Sequence, residues 1–401
     1  MTIRLLPSTT VNRIAAGEVV ERPASVIKEL VENAIDAKSR SINIIIREGG
    51  RNYMSVADDG CGMEPHELPL AVERHATSKL ANDNLFDITT LGFRGEALPS
   101  IGSVSRMEVT SRTRGAESAF IITVEGGAKS DPAPAARGPG TTIEVRDLFF
   151  STPARLKFLK AESTERGHTL DVIKRLAMAH PEIAFSLDDG DRNLFNLAAA
   201  KGDLLDARLE RVSAIMGNKF GENALPIQAE REGIRLSGHI GLPTLNRGNT
   251  ALQFLIVNCR PVRDKLLVGA VRGAYRDFLA QGRHPLLALF LDIPADQLDI
   301  NVHPAKNEVR FREPGLVRGL IVSALKHALA DAGHRASTTV GYEALGAFRQ
   351  QAIGHAPRNS NYRRPPGFSE EARPYHAPLS GLDKAPTARV DPESPPLAKE
   401  G

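Results

Sequence analysis

An α+β fold divided into two or three domains is what this sequence predicts, and three observations carry the prediction. The chain has 401 residues, more than one ordinary hydrophobic core accommodates. Short β-branched runs are interspersed with helix-period stretches, without the regular strand–helix–strand rhythm of a parallel sheet. The last part of the chain changes to a composition that cannot build a core.

The elements follow in order. KELVENAIDA (28–37) reads as helix, with Ile27, Leu30, Val31 and Ala34 on the side that faces a sheet and Glu29, Asn33 and Asp36 in a stripe on the other. INIII (42–46) is a strand, EGGR a glycine turn and YMSVAD a second strand. TIEV (142–145) is another strand. Residues 163–179 carry Leu170, Val172, Ile173, Leu176 and Ala177 at helical spacing. A second block, from about 203 to 331, offers strands at 234–240, 252–257 and 286–293 and helices at 265–279 and 316–330. From Ser337, and most clearly after Pro357, the chain becomes rich in Pro, Arg, Ser and Ala (RRPPGF, ARPYHAP, DPESPP). Residues 356–401 are expected to be a disordered linker or tail, and a linker that ends without a domain suggests a further C-terminal part.

Composition excludes several classes. The 51 basic and 48 acidic side chains leave a net charge of +3, so any nucleic-acid-binding surface must be local. Two cysteines, Cys61 and Cys259, have no metal-like spacing and fit a reducing, cytoplasmic compartment. MTIRLLPSTT lacks the apolar segment of a signal peptide, and the most apolar run, 286–290, is far too short to span a bilayer. No membrane association is expected.

Three stretches suggest chemistry. In the acidic helix, asparagine is a poor interior residue, and the acids are not interleaved with lysines as on a solubilising face. The Asn33 side-chain oxygen suits Mg²⁺ bound to phosphates, and Glu29, one turn earlier, suits proton abstraction from an attacking water. In VADDGCGM (56–63), an Asp at a strand end is followed by glycines that let backbone approach a flat ligand. Asp58 can accept a hydrogen bond from the exocyclic amine that marks adenine. In LGFRGEAL (91–98), two glycines precede a helix start, where backbone N–H groups bind anions. The polar segment between the second and third stretches has the length of a lid, and its Lys79 could reach a phosphate, although a solvated surface lysine is the commoner reading of such a residue. No P-loop and no dinucleotide fingerprint is present.

Together, ExxxN, DxGxG, a lid ending on a glycine pair and GTT before a strand resemble the GHKL ATPases. Three longer strings, NRIAAGEVVERPASVIKELVENAIDA (12–37), GFRGEAL (92–98) and NVHPAKNEVRF (301–311), resemble the MutL family of DNA mismatch repair proteins over roughly residues 1–331. The resemblance implies a GHKL (Bergerat) ATPase α/β sandwich over 1–204. It implies a ribosomal protein S5 domain 2-like transducer and DNA-binding domain over 205–331, and a Pro-rich, largely disordered linker over 332–401.

It also implies roles. Glu29 is the general base and Asn33 the Mg²⁺ ligand. Asp58 reads adenine, with Gly62 opening the pocket and Thr142 supporting the adenine side. Lys79 and the segment Gly92, Phe93, Arg94, Gly95 and Glu96 wrap the phosphates of ATP. Lys306 enters from the second domain to touch the γ-phosphate. Arg260, Arg263, Lys265 and Arg272 contribute to a DNA-backbone groove. The implied function is an ATP-driven mismatch repair switch. ATP orders the lid and joins two N-terminal regions into a homodimer, and slow hydrolysis resets it. The implied partners are DNA, a MutS-type mismatch recognition protein and a downstream nuclease or helicase, in the cytoplasm and on the nucleoid when DNA is engaged. No endonuclease activity is expected from this region. A non-hydrolysing, ATP-bound DNA-binding scaffold is the alternative. One departure stands out: Asn258-Cys259-Arg260 occurs where the family shows Asn-Gly-Arg, which puts a local turn in doubt.

Overall fold

The computed structural model describes residues 7–79, 90–92, 95–190, 192–202, 204–299 and 308–347. Its first sheet has nine strands among these residues. In order across the sheet they are Ala128–Lys129, Ala119–Glu125, Arg106–Arg112, Gly140–Arg146, Tyr53–Asp58, Ser41–Arg47, Ala184–Asp188 and Asn193–Leu197, with Ala133–Ala135 also pairing to Ala119–Glu125. All pairings are antiparallel except that of Ser41–Arg47 with Ala184–Asp188. Such a sheet needs cover on one face only. Accordingly Ile42, Ile44 and Ile46 are buried while Asn43 and Ile45 are exposed. The helices Pro23–Asp36 and Glu162–Ala179 lie against the apolar face and against each other. Val26, Ile27, Leu30 and Val31 of the first helix are fully buried there, each contributing about 1.5–3 kcal/mol of hydrophobic stabilisation.

The second sheet runs Ala224–Arg231, Ile234–Gly241, Leu287–Asp292, Gln253–Val257 and Arg260–Val262. Its two central strands, QFLIV and LALFL, are buried at every position because both faces are covered. On one face lie the helix Lys265–Ala274 and the first turns of the helix Pro314–Ala347, through Leu267, Val271, Val317, Ile321 and Leu325. The other face, through Phe254, Ile256, Ala288 and Phe290, joins the first sheet's core. The helix Leu204–Met216 lies between the sheets. Its Arg211 is buried and donates to the carbonyls of Pro181, Ile183 and Ala198. Burial lowers the Arg211 pKa to about 10, still far above neutral, so the guanidinium remains charged.

Two expectations need correction. The helix expected at 316–330 runs from Pro314 to Ala347, into the stretch read as linker. No proline interrupts the chain before Pro357, and HRASTTVGYEALGA contains no strong stop. The helix expected at 265–279 ends at Ala274, where the chain passes into turns. Among the described residues no helix is long and apolar enough to cross a membrane.

Candidate nucleotide site

The helix Pro23–Asp36 starts with proline at its first turn, where a missing N–H costs nothing. Its last two turns carry the polar stripe to the end of the strand Tyr53–Asp58. Two contacts fasten these ends together. The Cys61 amide donates to the Ala37 carbonyl at 3.0 Å. The single hydroxyl proton of Ser39 is shared between the Ala34 carbonyl at 2.7 Å and Asp58 Oδ1 at 3.1 Å. Gly60 sits in this junction, where an added Cβ would lie 2.8 Å from the Ala37 carbonyl and from Asp58 Oδ1.

On the stripe, Asn33 Oδ1 accepts from Lys79 Nζ at 2.8 Å, and Asp36 Oδ2 accepts from the same ammonium at 2.5 Å. Asp36 also accepts the amides of Leu91 and Gly92, at 2.8 and 3.0 Å. A Cβ on Gly92 would fall 3.1 Å from Lys79 Nζ and 3.5 Å from Asn33 Oδ1. Both ends of the expected lid thus converge on Asn33 and Asp36. Farther along, the His75 amide donates to the Gly95 carbonyl at 3.1 Å, and Gly95 has φ +61 with the Ala76 carbonyl where a side chain would sit. Glu96 precedes the helix Ala97–Val104. The Asn33 oxygen already receives one cation, the Lys79 ammonium, so its hard oxygen donor fits the Mg²⁺ that the family implies.

Glu29 lies one turn before Asn33 and is mostly buried. Lys28 stands beside it, 3.6 Å from Glu29 Oε1 and 2.8 Å from Glu32 Oε1. Burial opposes the Lys28 charge, but Glu32 and Glu29 outweigh it and hold the pKa above the ordinary lysine value.

At the strand end, Asp58 is buried, and its Oδ1 also accepts the Gly60 amide at 2.8 Å. Burial raises its pKa, against the opposing effects of the Gly60 amide, Ser39 and Arg137. The expectation for Thr142 is not met. The register pairs Asp58 with Thr141 and Ala57 with Thr142. Side chains alternate faces along a strand, so Thr141 shares the Asp58 face and Thr142 points to the opposite one. Thr142 Oγ1 instead accepts from Arg137 Nε at 2.7 Å, while Arg137 Nη2 donates to the Asp58 carbonyl. Gly62 has φ +73, and a Cβ there would strike the Arg112 backbone, so close packing of backbones requires glycine at this position.

The basic cluster separates in the fold. Arg260 is buried, and its guanidinium donates to the Leu91 carbonyl at 2.9 Å and to the Thr90 carbonyl. A DNA phosphate cannot reach it, which overturns that expectation. Arg263 pairs with Asp171. Lys265 and Arg272 are exposed on one face of the helix Lys265–Ala274, two turns apart. Lys306, Phe93 and Arg94 lie outside the described residues. Sequence reasoning left Ser39, Arg137 and Thr141 without a role. Asp36 was seen in the stripe, three residues after Asn33, but was given no contact to the glycine loop.

Comparisons with known proteins agree with this geometry. Residues 21–141 match the model of the histidine kinase-, DNA gyrase B- and HSP90-like ATPases. Residues 212–330 match that of the DNA mismatch repair protein C-terminal domain. DNA mismatch repair protein MutL of Rhodospirillum rubrum is 64% identical over 89% of this chain and 57% of its own length. The protein of the same name from Paramagnetospirillum magneticum is 57% identical over 100% of this chain and 67% of its own length. This chain therefore spans about 57–67% of the length of these curated relatives. Among solved structures, the Aquifex aeolicus MutL ATPase domain complexed with ADP aligns with a TM-score of 0.55 and 29% identity, over 76% of this chain and 98% of that one. The N-terminal domain of a DNA repair protein aligns with a TM-score of 0.67 and 25% identity, over 80% and 98%. A GHKL ATPase fold followed by a second α/β unit, with this sequence kinship, establishes that the chain belongs to the MutL family of DNA mismatch repair proteins.

Proposed function

We propose that this chain is the ATP-operated part of a mismatch repair switch. The observation that carries the reading is the convergence of Asn33, Asp36, Lys79 and the Gly92 amide at one end of the acidic helix, beside the Asp58 strand end. In this reading the adenine amine meets Asp58, and Thr141 lines the same face. The triphosphate lies across the C-terminal turns of the helix, and Glu29 takes the proton of the attacking water. Asn33 holds Mg²⁺, which neutralises phosphate charge when bound. Lys79, now tied to Asn33 and Asp36, and the amides of the glycine loop turn to the phosphates. Lys306 enters from the second domain, over 205–331, to sense the γ-phosphate. ATP orders the lid and joins two N-terminal regions; slow hydrolysis releases them. The exposed Lys265 and Arg272 contact DNA backbone, and the same binding states engage a MutS-type protein and a downstream nuclease or helicase.

The test is solution mass by light scattering, with and without a non-hydrolysable ATP analogue and Mg²⁺, alongside phosphate release from ATP. The reading predicts a nucleotide-dependent shift from monomer to dimer and slow turnover. A mass indifferent to nucleotide, with no phosphate released, would overturn it.

A further inference from the structure

The buried Arg260 is closed to the DNA-backbone role that the family resemblance implied for it, and its surroundings give it another. It opens the short edge strand Arg260–Val262 of the second sheet, immediately after a two-residue turn. Both turn residues, Asn258 and Cys259, have positive φ, the geometry of a tight hairpin. The Asn258 side chain fixes that turn by bonding the Ile293 carbonyl and amide, each at 2.8 Å. The guanidinium so presented reaches a segment 169 residues away in the chain and donates to the carbonyls of Leu91 and Thr90. From the opposite direction, Asp36 accepts the amides of Leu91 and Gly92. The peptide units around Leu91 are thereby held by their oxygens from the second sheet and by their N–H groups from the acidic helix. Lysine can supply the charge but not the planar fork that reaches two carbonyls at once. Burial lowers the Arg260 pKa, and the negative charges of Glu32, Asp36 and Glu29 offset part of that cost.

We propose that Arg260 is a positioning residue that fastens the C-terminal end of the lid to the second lobe and presents the Gly92 amide to the nucleotide phosphates. The inference rests on the nucleotide reading above. It makes the hairpin at Asn258–Cys259 a direct mechanical link between the nucleotide site and the second sheet.

The test is hydrogen exchange by mass spectrometry on the full chain, wild type against Arg260→Lys, together with calorimetric titration of a Mg·ATP analogue. The peptide containing Leu91 and Gly92 should exchange about ten-fold faster in the variant, while the central strand Leu287–Asp292 keeps its protection. Analogue affinity should fall about ten-fold, the loss expected for one charge-assisted hydrogen bond. Unchanged exchange and affinity in Arg260→Lys would overturn the proposal. If the variant fails to fold, wild-type protein answers through reciprocity: analogue binding should slow exchange across the pairing of Gln253–Val257 with Arg260–Val262. No effect there would overturn the link. Absence of analogue binding by the wild type would instead sink the nucleotide reading, and the exchange comparison would still report on Arg260.

Discussion

Replacing Asp58 by Asn converts one carboxylate oxygen to an NH₂ group and changes volume little. Ser39 and the Gly60 amide both meet Oδ1, so an Asn side chain that keeps its oxygen there retains both. The NH₂ then takes the place of Oδ2, and an adenine amine meets a donor where it had an acceptor. An unmatched buried donor costs about 1–3 kcal/mol, so ATP affinity should fall roughly ten- to a hundred-fold. Guanine carries a carbonyl at the corresponding position, so the preference for ATP over GTP should narrow or invert. The fold should not suffer. Burial raises the Asp58 pKa above its ordinary value of 3.8, which means that folding disfavours the charged form. A raised pKa contributes stability that is present below the ordinary value and lost as pH rises through the folded one. Asn carries no such loss. The variant should therefore be at least as stable as wild type at neutral pH, relative to their comparison at pH below about 4. Calorimetric titrations with ATP and GTP analogues and urea midpoints at the two pH values check both parts. Equal ATP affinity in wild type and Asp58→Asn would refute the adenine assignment, and a variant markedly less stable at neutral pH would refute the burial argument.

Further predictions follow from the same site. Glu29→Ala should retain ATP binding and analogue-induced dimerisation while turnover drops about 10²- to 10⁴-fold in a phosphate-release assay; undiminished turnover would remove Glu29 from the base role, and a wild type that binds ATP without releasing phosphate would favour a non-hydrolysing scaffold. Thr141→Val should weaken nucleotide binding more than Thr142→Val, because only Thr141 shares the Asp58 face; the opposite ranking in a titration would contradict the register argument. Cys259→Gly should stabilise the chain by about 0.5–1 kcal/mol in urea denaturation, since Cys259 has φ +62 and glycine tolerates that conformation. A destabilised Cys259→Gly would show that the thiol's packing outweighs the backbone strain.

How much of this was legible beforehand depended on the range of the interaction involved. The acidic helix, the paired strands beside it and the buried strand around 286–293 announce themselves through local periodicity, and the structure forms each of them. Asn33 and Asp58 stood out within short motifs, and Lys79 through the family resemblance; the structure joins Asn33 to Lys79 by a hydrogen bond. The choice between Thr141 and Thr142 was not. GTT gives two adjacent threonines, and only the pairing with the neighbouring strand decides which faces inward. Arg260 was misread for a related reason. In sequence it sits among other basic residues and looks like a solvated face, whereas its partners are carbonyls in a distant segment. Asp36 lay in view within the stripe, but its use depends on where the glycine loop returns. The hairpin at Asn258–Cys259 shows the converse: a departure from the family's glycine leaves the turn in place, because Asn258 bonds Ile293 on both sides.

The central claim is that a Mg²⁺-bound adenine triphosphate is held between the Asn33–Asp36 end of the helix and Asp58. Isothermal titration of the purified chain with a non-hydrolysable Mg·ATP analogue tests it most directly. The account predicts saturable heat with one site per chain, weakened in Asp58→Asn. A titration with no heat beyond dilution, or one that Asp58→Asn leaves unaltered, would contradict it.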